Sequence, residues 1–263
     1  MQELDKNIAS GRAAADAPSR ELPIHKVLLL ILGPSLLLML AYFLAAPLAE
    51  DRIPSLLLFF LLAVPLLFAI QLGVILAASK KEYGRYSLQS AFVVHQPVAW
   101  WKIILYGVLA WGFAGLMTVT VLPLEQALWA PIAERAAALL PRYFDWTDMA
   151  LLAQYPRDTL LLTTGVILIL NVFVGPVVEE LFFRGYLTAR VGRLGRYAPL
   201  LITVLFSLYH LWLPFQNLFR IFAFFPGFYA AWKMKNIYIA IVMHCLSNLV
   251  SSIGLVAAIL AVA

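Results

Sequence analysis

The chain has 263 residues, 63% hydrophobic and 13% charged, with a mean hydropathy of +0.89. A soluble domain carries roughly 25% charged and about 45 to 50% apolar residues, so composition excludes that class and points to an all-α, polytopic transmembrane bundle. The net charge of +5 gives no nucleic-acid partner, because the basic residues are scattered through short loops and form no patch; the lone Cys245 excludes an internal disulfide and any multi-cysteine metal site.

In chain order, residues 1–26 are polar and Ala-rich and read as a flexible cytosolic tail. Apolar runs long enough for a bilayer core follow at 27–48, 53–78, 98–122, 159 through the paired glutamates at 179 and 180, 197–213, 217–232 and 237–260. The first is too long for a secretory h-region and reads as a retained span. About seven spans result, with Pro214 and Pro226 marking where the later ones could be broken or re-entrant. Residues 27–158 form an N-terminal membrane region and residues 159–263 a second helical core. Between spans three and four, residues 123–158 make one long external connection that fits either a short amphipathic helix at the interface or a plain spacer.

Loop charge sets the orientation. Lys6, Arg12, Arg20, Lys26, Lys80, Lys81, Arg85, Lys102, Arg184, Arg190, Arg193, Arg196, Lys233 and Lys235 fall on one side, against Arg52, Arg135, Arg142, Arg157 and Arg220 on the other. The N-terminus is therefore expected in the cytosol, and Trp100, Trp101, Tyr197 and Trp232 at the cytosolic interface.

Span four ends on Glu179 and Glu180. A bare acid at mid-bilayer costs about 2.5 to 3.5 kcal/mol even on the milder insertion scales, so an intramembrane acid reads as a functional site. Neighbours on a helix are turned about 100° apart while residues four apart share a face. Glu180 thus lies under Arg184 as an ion pair, and Glu179 is left free for chemistry. Span five carries Phe206 and His210, and span seven carries His244 and Asn248 on one face. At about 1.5 Å per residue from the cytosolic ends, Glu179, His210, His244 and Asn248 fall at one depth. Taken singly, each of the last three fits an interhelical hydrogen-bonding role as well as a catalytic one; together they point to a site. A carboxylate and an imidazole can deprotonate a water, and an imidazole and a carboxamide can stabilise an oxyanion, so the chemistry is hydrolysis and its natural form proteolysis. Tyr209 and Ser207 read as packing residues, and His25 and His95 as solvated ones. GxSxG, HExxH, phosphate-loop and repeat signatures are absent from the sequence.

EExxxR at Glu179, Glu180 and Arg184, FxxxH at Phe206 and His210, and HxxxN at His244 and Asn248 resemble the CPBP family of intramembrane proteases. That family includes the CAAX prenyl endopeptidases of the Rce type and bacterial Abi proteins. The resemblance covers roughly residues 160–252. It implies that Glu179 activates water with His210, that His244 and Asn248 stabilise the oxyanion, and that Glu180, Arg184 and Phe206 support them. It further implies a membrane-anchored protein or peptide substrate and a multi-pass protein of a bacterial plasma membrane.

The family is described both as metal-free and as zinc-dependent, and a zinc set would be Glu179, His210 and His244. With Glu180 committed to Arg184, no second acid remains to serve as base beside a ligating Glu179, and the metal-free form is expected. The rival readings are a non-catalytic scaffold or immunity protein, a proton-coupled transporter and a haem electron carrier with His210 and His244 as axial ligands.

Overall fold

The computed structural model describes residues 21–263; most of the expected tail lies outside them. Among the described residues there are helices and no strand. Five helices are long and apolar enough to cross a bilayer: α1 (Ile24–Ala49), α2 (Ser55–Tyr83), α3 (Trp100–Leu139), α4 (Arg157–Arg190) and, last in the chain, α7 (Tyr238–Val262). Leu29, Leu48, Val119 and Ile169 are exposed. An apolar exterior of this kind suits lipid, the solvent that does not penalise it. The bundle is an integral membrane structure.

The two remaining apolar runs fold differently from plain spans. Residues 197–213 supply only α5 (Ala198–Leu208), about 16 Å long, and the next run supplies α6 (Asn217–Lys233), about 25 Å long. Five long helices and a shorter hairpin therefore stand where seven similar spans were expected. The α5–α6 turn carries Trp212 against Phe59 of α2 and Phe215 against Trp129 of α3. Non-helical backbone at membrane depth is tolerated only where protein or an internal cavity surrounds it, and this turn has both.

The ends of the bundle are tied by hydrogen bonds and ion pairs between its loops and helices. At one end Leu22 N–H bonds the Arg190 carbonyl, Glu21 pairs with Arg193, and Gln96 N–H bonds the Lys235 carbonyl. Buried Arg190 pairs with Glu82 at 2.6 Å, which also accepts from Ser90 Oγ. Gly185 lets the 84–99 loop lie on α4: a Cβ there would sit 2.5 Å from the Ala91 carbonyl oxygen. At the other end Tyr143 and Tyr155 donate to the carbonyls of Ile53 and Glu50, and Trp146 Nε1 donates to Tyr42.

Helix α3 does not stop where the external connection was expected. It runs on past Pro123 and Pro131 to Leu139. The reason is visible at Glu125, which is 2% exposed and accepts from the N–H groups of Leu218 and Phe219 at 2.8 and 2.6 Å. A carboxylate on the first turn of α6 satisfies donors with no intrahelical partner and complements the helix dipole, and so locks α3 to the hairpin. Replacing Glu125 by Ala strands both N–H groups, and we expect a loss of about 2 kcal/mol. Thermal unfolding in detergent checks this; an unchanged midpoint would show that the cap contributes nothing.

Candidate active site

The glutamates sit between two stretches of α4 wound more widely than an α-helix, 167–174 and 181–187. Such π-type segments are rare and frequent at functional sites. The first is explained by Pro176. In this wider register Gly175 N–H reaches back five residues to the Leu170 carbonyl, so the partner of the next carbonyl, Asn171, would be Pro176, which has no N–H. The Asn248 side chain of α7 fills that gap, its Nδ2 donating to the Asn171 carbonyl at 2.8 Å. A carboxamide nitrogen has two donors, and one of them remains for the cavity that Asn248 lines.

Glu179 and Glu180 are 6% and 0% exposed and face different partners. Glu179 Oε1 accepts a short hydrogen bond from the Tyr209 hydroxyl, and its Oε2 lies 3.7 Å from His244 Nε2. Glu180 Oε1 lies 3.3 Å from Arg184 Nη1, as the i, i+4 spacing predicts. The same oxygen also accepts from His244 Nδ1 at 2.8 Å. Glu180 is thus not committed to Arg184 alone. It fixes the tautomer and ring plane of His244, leaving Nε2 directed at Glu179. Arg184, otherwise without a hydrogen-bond partner, lays its guanidinium over the Phe228 ring at 3.0 Å and the Phe206 ring at 4.2 Å. Aromatic faces are attractive to a desolvated cation.

His210 lies in the turn after α5. Its Nδ1 is 2.7 Å from the Phe206 carbonyl; a carbonyl only accepts, so Nδ1 carries the proton and Nε2 keeps a lone pair. Phe206 packs edge-on to the rings of Phe183, His210, Phe228 and His244. One aromatic side chain therefore sets the spacing of both imidazoles and of Arg184.

Glu179, His210, His244 and Asn248 all line one cavity of about 650 Å³, together with Asn171, Ser247 and Arg220 from the same region and Phe59, Trp111 and Gly115 from α2 and α3. Its volume is that of an ordinary ligand pocket. Four side chains singled out from three separate segments of sequence thus converge. Among the described residues no group of three or more His, Cys, Asp or Glu side chains is placed to hold a metal ion.

Residues 161–250 match the family model for type II CAAX prenyl endopeptidase Rce1-like. The segment is similar to that family over this stretch of about a third of the chain. It runs from the start of α4 through α5 and α6 into α7, and so contains every side chain of the glutamate and imidazole cluster. Helices α1 to α3 lie outside the match; α2 and α3 supply the opposite wall of the cavity, and α3 supplies Glu125. No curated protein and no solved structure matches the chain. The matched family is one of peptidases, which agrees with a membrane-embedded acid and two imidazoles around a cavity.

Two residues of the matched segment had been misplaced by sequence alone. Tyr209 was read as packing because it is turned from His210 on an ideal helix; the helix has ended by then, and its hydroxyl reaches Glu179. Removing that hydroxyl in Tyr209→Phe leaves Glu179 Oε1 without its donor. Turnover is expected to fall about 10- to 100-fold, since a hydrogen bond to a buried charged group is worth about 1.5 to 3 kcal/mol. Wild-type turnover in this variant would reduce Tyr209 to a packing residue. Arg220, counted among outer-loop cations, is 6% exposed on α6 and lines the cavity.

Proposed function

We propose that the protein is an intramembrane endopeptidase of the glutamic type. The convergence of Glu179, His210, His244 and Asn248 on one enclosed cavity within the bundle carries this reading. Glu179 and the free Nε2 of His210 hold a water, and Glu179 takes its proton as the oxygen attacks the scissile carbonyl. Tyr209 keeps Glu179 in place from the other carboxylate oxygen. His244, whose Nδ1–H is held by Glu180, donates from Nε2 in its doubly protonated form, and together with the spare Asn248 N–H it meets the developing oxyanion, where preorganised donors act only as charge forms. As the intermediate collapses, the proton held by Glu179 passes to the leaving amine, and the peptide bond breaks.

The substrate is a membrane-anchored protein or peptide, as the name of the matched family suggests, and it enters from the lipid phase. With the N-terminus in the cytosol, the loops at 84–99, 191–197 and 234–236 are cytosolic, and cleavage occurs on that side of the membrane. A bacterial plasma membrane is the proposed location.

The test is cleavage of a peptide carrying a prenylated cysteine followed by three residues, by purified protein in lipid, with and without a strong zinc chelator. Turnover that survives the chelator supports the glutamic type. Loss with chelator and return with zinc would make Glu179, His210 and His244 a ligand set instead. Absence of turnover on this and on a library of membrane-anchored peptides would favour the scaffold reading.

A further inference from the structure

Three arginines are buried among the described residues, and two of them have an acid: Arg184 has Glu180 and Arg190 has Glu82. Arg220 has no acid within 4 Å among the described residues. The acids nearest in the fold are already engaged, Glu125 by the first turn of α6 and Glu179 by Tyr209. Arg220 uses only Nη1 within the chain, donating to the Ser207 carbonyl at 3.2 Å, to Ser207 Oγ at 3.4 Å and to Asn217 Oδ1 at 3.3 Å. These neutral acceptors fix the direction of the guanidinium without neutralising it. Nε and Nη2 make no hydrogen bond, and the residue lines the same cavity as Glu179.

A desolvated cation without a counter-ion is costly, and the cost is relieved when an anion binds. The planar fork of an arginine matches a carboxylate through two parallel N–H bonds. We propose that Arg220 is a specificity-determining residue that binds the free C-terminal carboxylate of the substrate. A cavity of about 650 Å³ has room for a short stretch of peptide whose chain end meets Arg220. Arg220 thereby selects substrates cut close to their C-terminus. The proposal rests on the peptidase reading and adds to it the feature of the substrate that is recognised.

The test uses two prenylated peptides identical except that one ends in a carboxylate and the other in a carboxamide, with wild type, Arg220→Gln and Arg220→Lys reconstituted in lipid. Wild type is expected to favour the carboxylate at least tenfold in kcat/KM, through KM. Arg220→Gln removes that preference, lowering kcat/KM on the carboxylate peptide at least tenfold more than on the amide, and Arg220→Lys restores part of it. A third peptide, amidated but carrying an aspartate in its last residue, distinguishes an acidic side chain from the chain end; equal preference for it would overturn the assignment to the terminus. Equal loss on acid and amide peptides in both variants would make Arg220 a positioning residue of the turn and overturn the proposal. Binding of the same peptides to Glu179→Gln, read by fluorescence anisotropy, separates the two readings. Carboxylate-selective binding without cleavage by wild type would fail the peptidase and keep the anion site, and cleavage without selectivity would do the reverse.

Discussion

Glu179→Gln is expected to abolish turnover, lowering kcat by about 10³-fold, while the protein folds and melts as wild type does. The amide is nearly isosteric, and its oxygen still accepts from Tyr209, so the hydrogen bond that spans α4 and the α5–α6 turn survives. What disappears is the ability to take a proton from water, a contribution of about 10² to 10⁴ in general-base catalysis. Glu180→Gln provides the contrast. It leaves the His244 hydrogen bond an acceptor but removes the charge opposite Arg184, so stability falls along with turnover. The two adjacent acids should therefore separate, one changing rate alone and the other rate and melting temperature together. Retention of more than a tenth of wild-type turnover in Glu179→Gln would move the base to His210 or His244 and end the glutamic assignment.

That separation was legible in the sequence, because a 100° step and a four-residue repeat are properties of any helix. The partner of Glu180 was only half legible. The i, i+4 rule gives Arg184, but the approach of His244 depends on how α7 packs against α4, which no local pattern encodes. Asn248 shows the same limit from the other side. Its carboxamide was readable as polar in an apolar span, yet its bond to Asn171 exists because a π-type register brings Pro176 opposite a carbonyl that then lacks a donor. Pro176 was visible; the register was not. Tyr209 and Arg220 were missed for a common reason. Both were assigned from a count of about seven spans in which a break near Pro214 was left as an alternative, and the α5–α6 hairpin does turn there, against α2 and α3. The signal for that turn was present in the short run ending at Pro214, and the consequence for neighbouring side chains follows only once Trp212 is seen to pack on Phe59. Glu125 fell beyond the expected span end at residue 122, and that α3 continues through Pro123 and Pro131 is understood only once its carboxylate is seen to cap α6.

Arg184→Leu is expected to destabilise the fold by about 3 to 5 kcal/mol, the cost of leaving one member of a buried ion pair alone. Glu180 is fully buried, its Oε2 already lacks a hydrogen-bond partner, and Oε1 would keep only His244. The guanidinium also fills the space between the Phe206 and Phe228 rings, so Leu loses stacking area as well as charge. Arg184→Lys keeps the charge but presents a compact ammonium where a flat group is clasped between rings, and should recover only part of the loss. The pair Glu180→Gln with Arg184→Leu decides between the two contributions. Thermal unfolding of both single variants and the double variant forms a cycle. A double variant more stable than Arg184→Leu means that the stranded charge of Glu180 dominates; additive losses mean that packing against Phe206 and Phe228 does. In either case the acid beside Glu179 is held in the bundle by a cation whose other neighbours are aromatic, and the position of His244 depends on that same acid. Arg184 is thus the point at which the stability of the matched segment and the geometry of its cavity are joined.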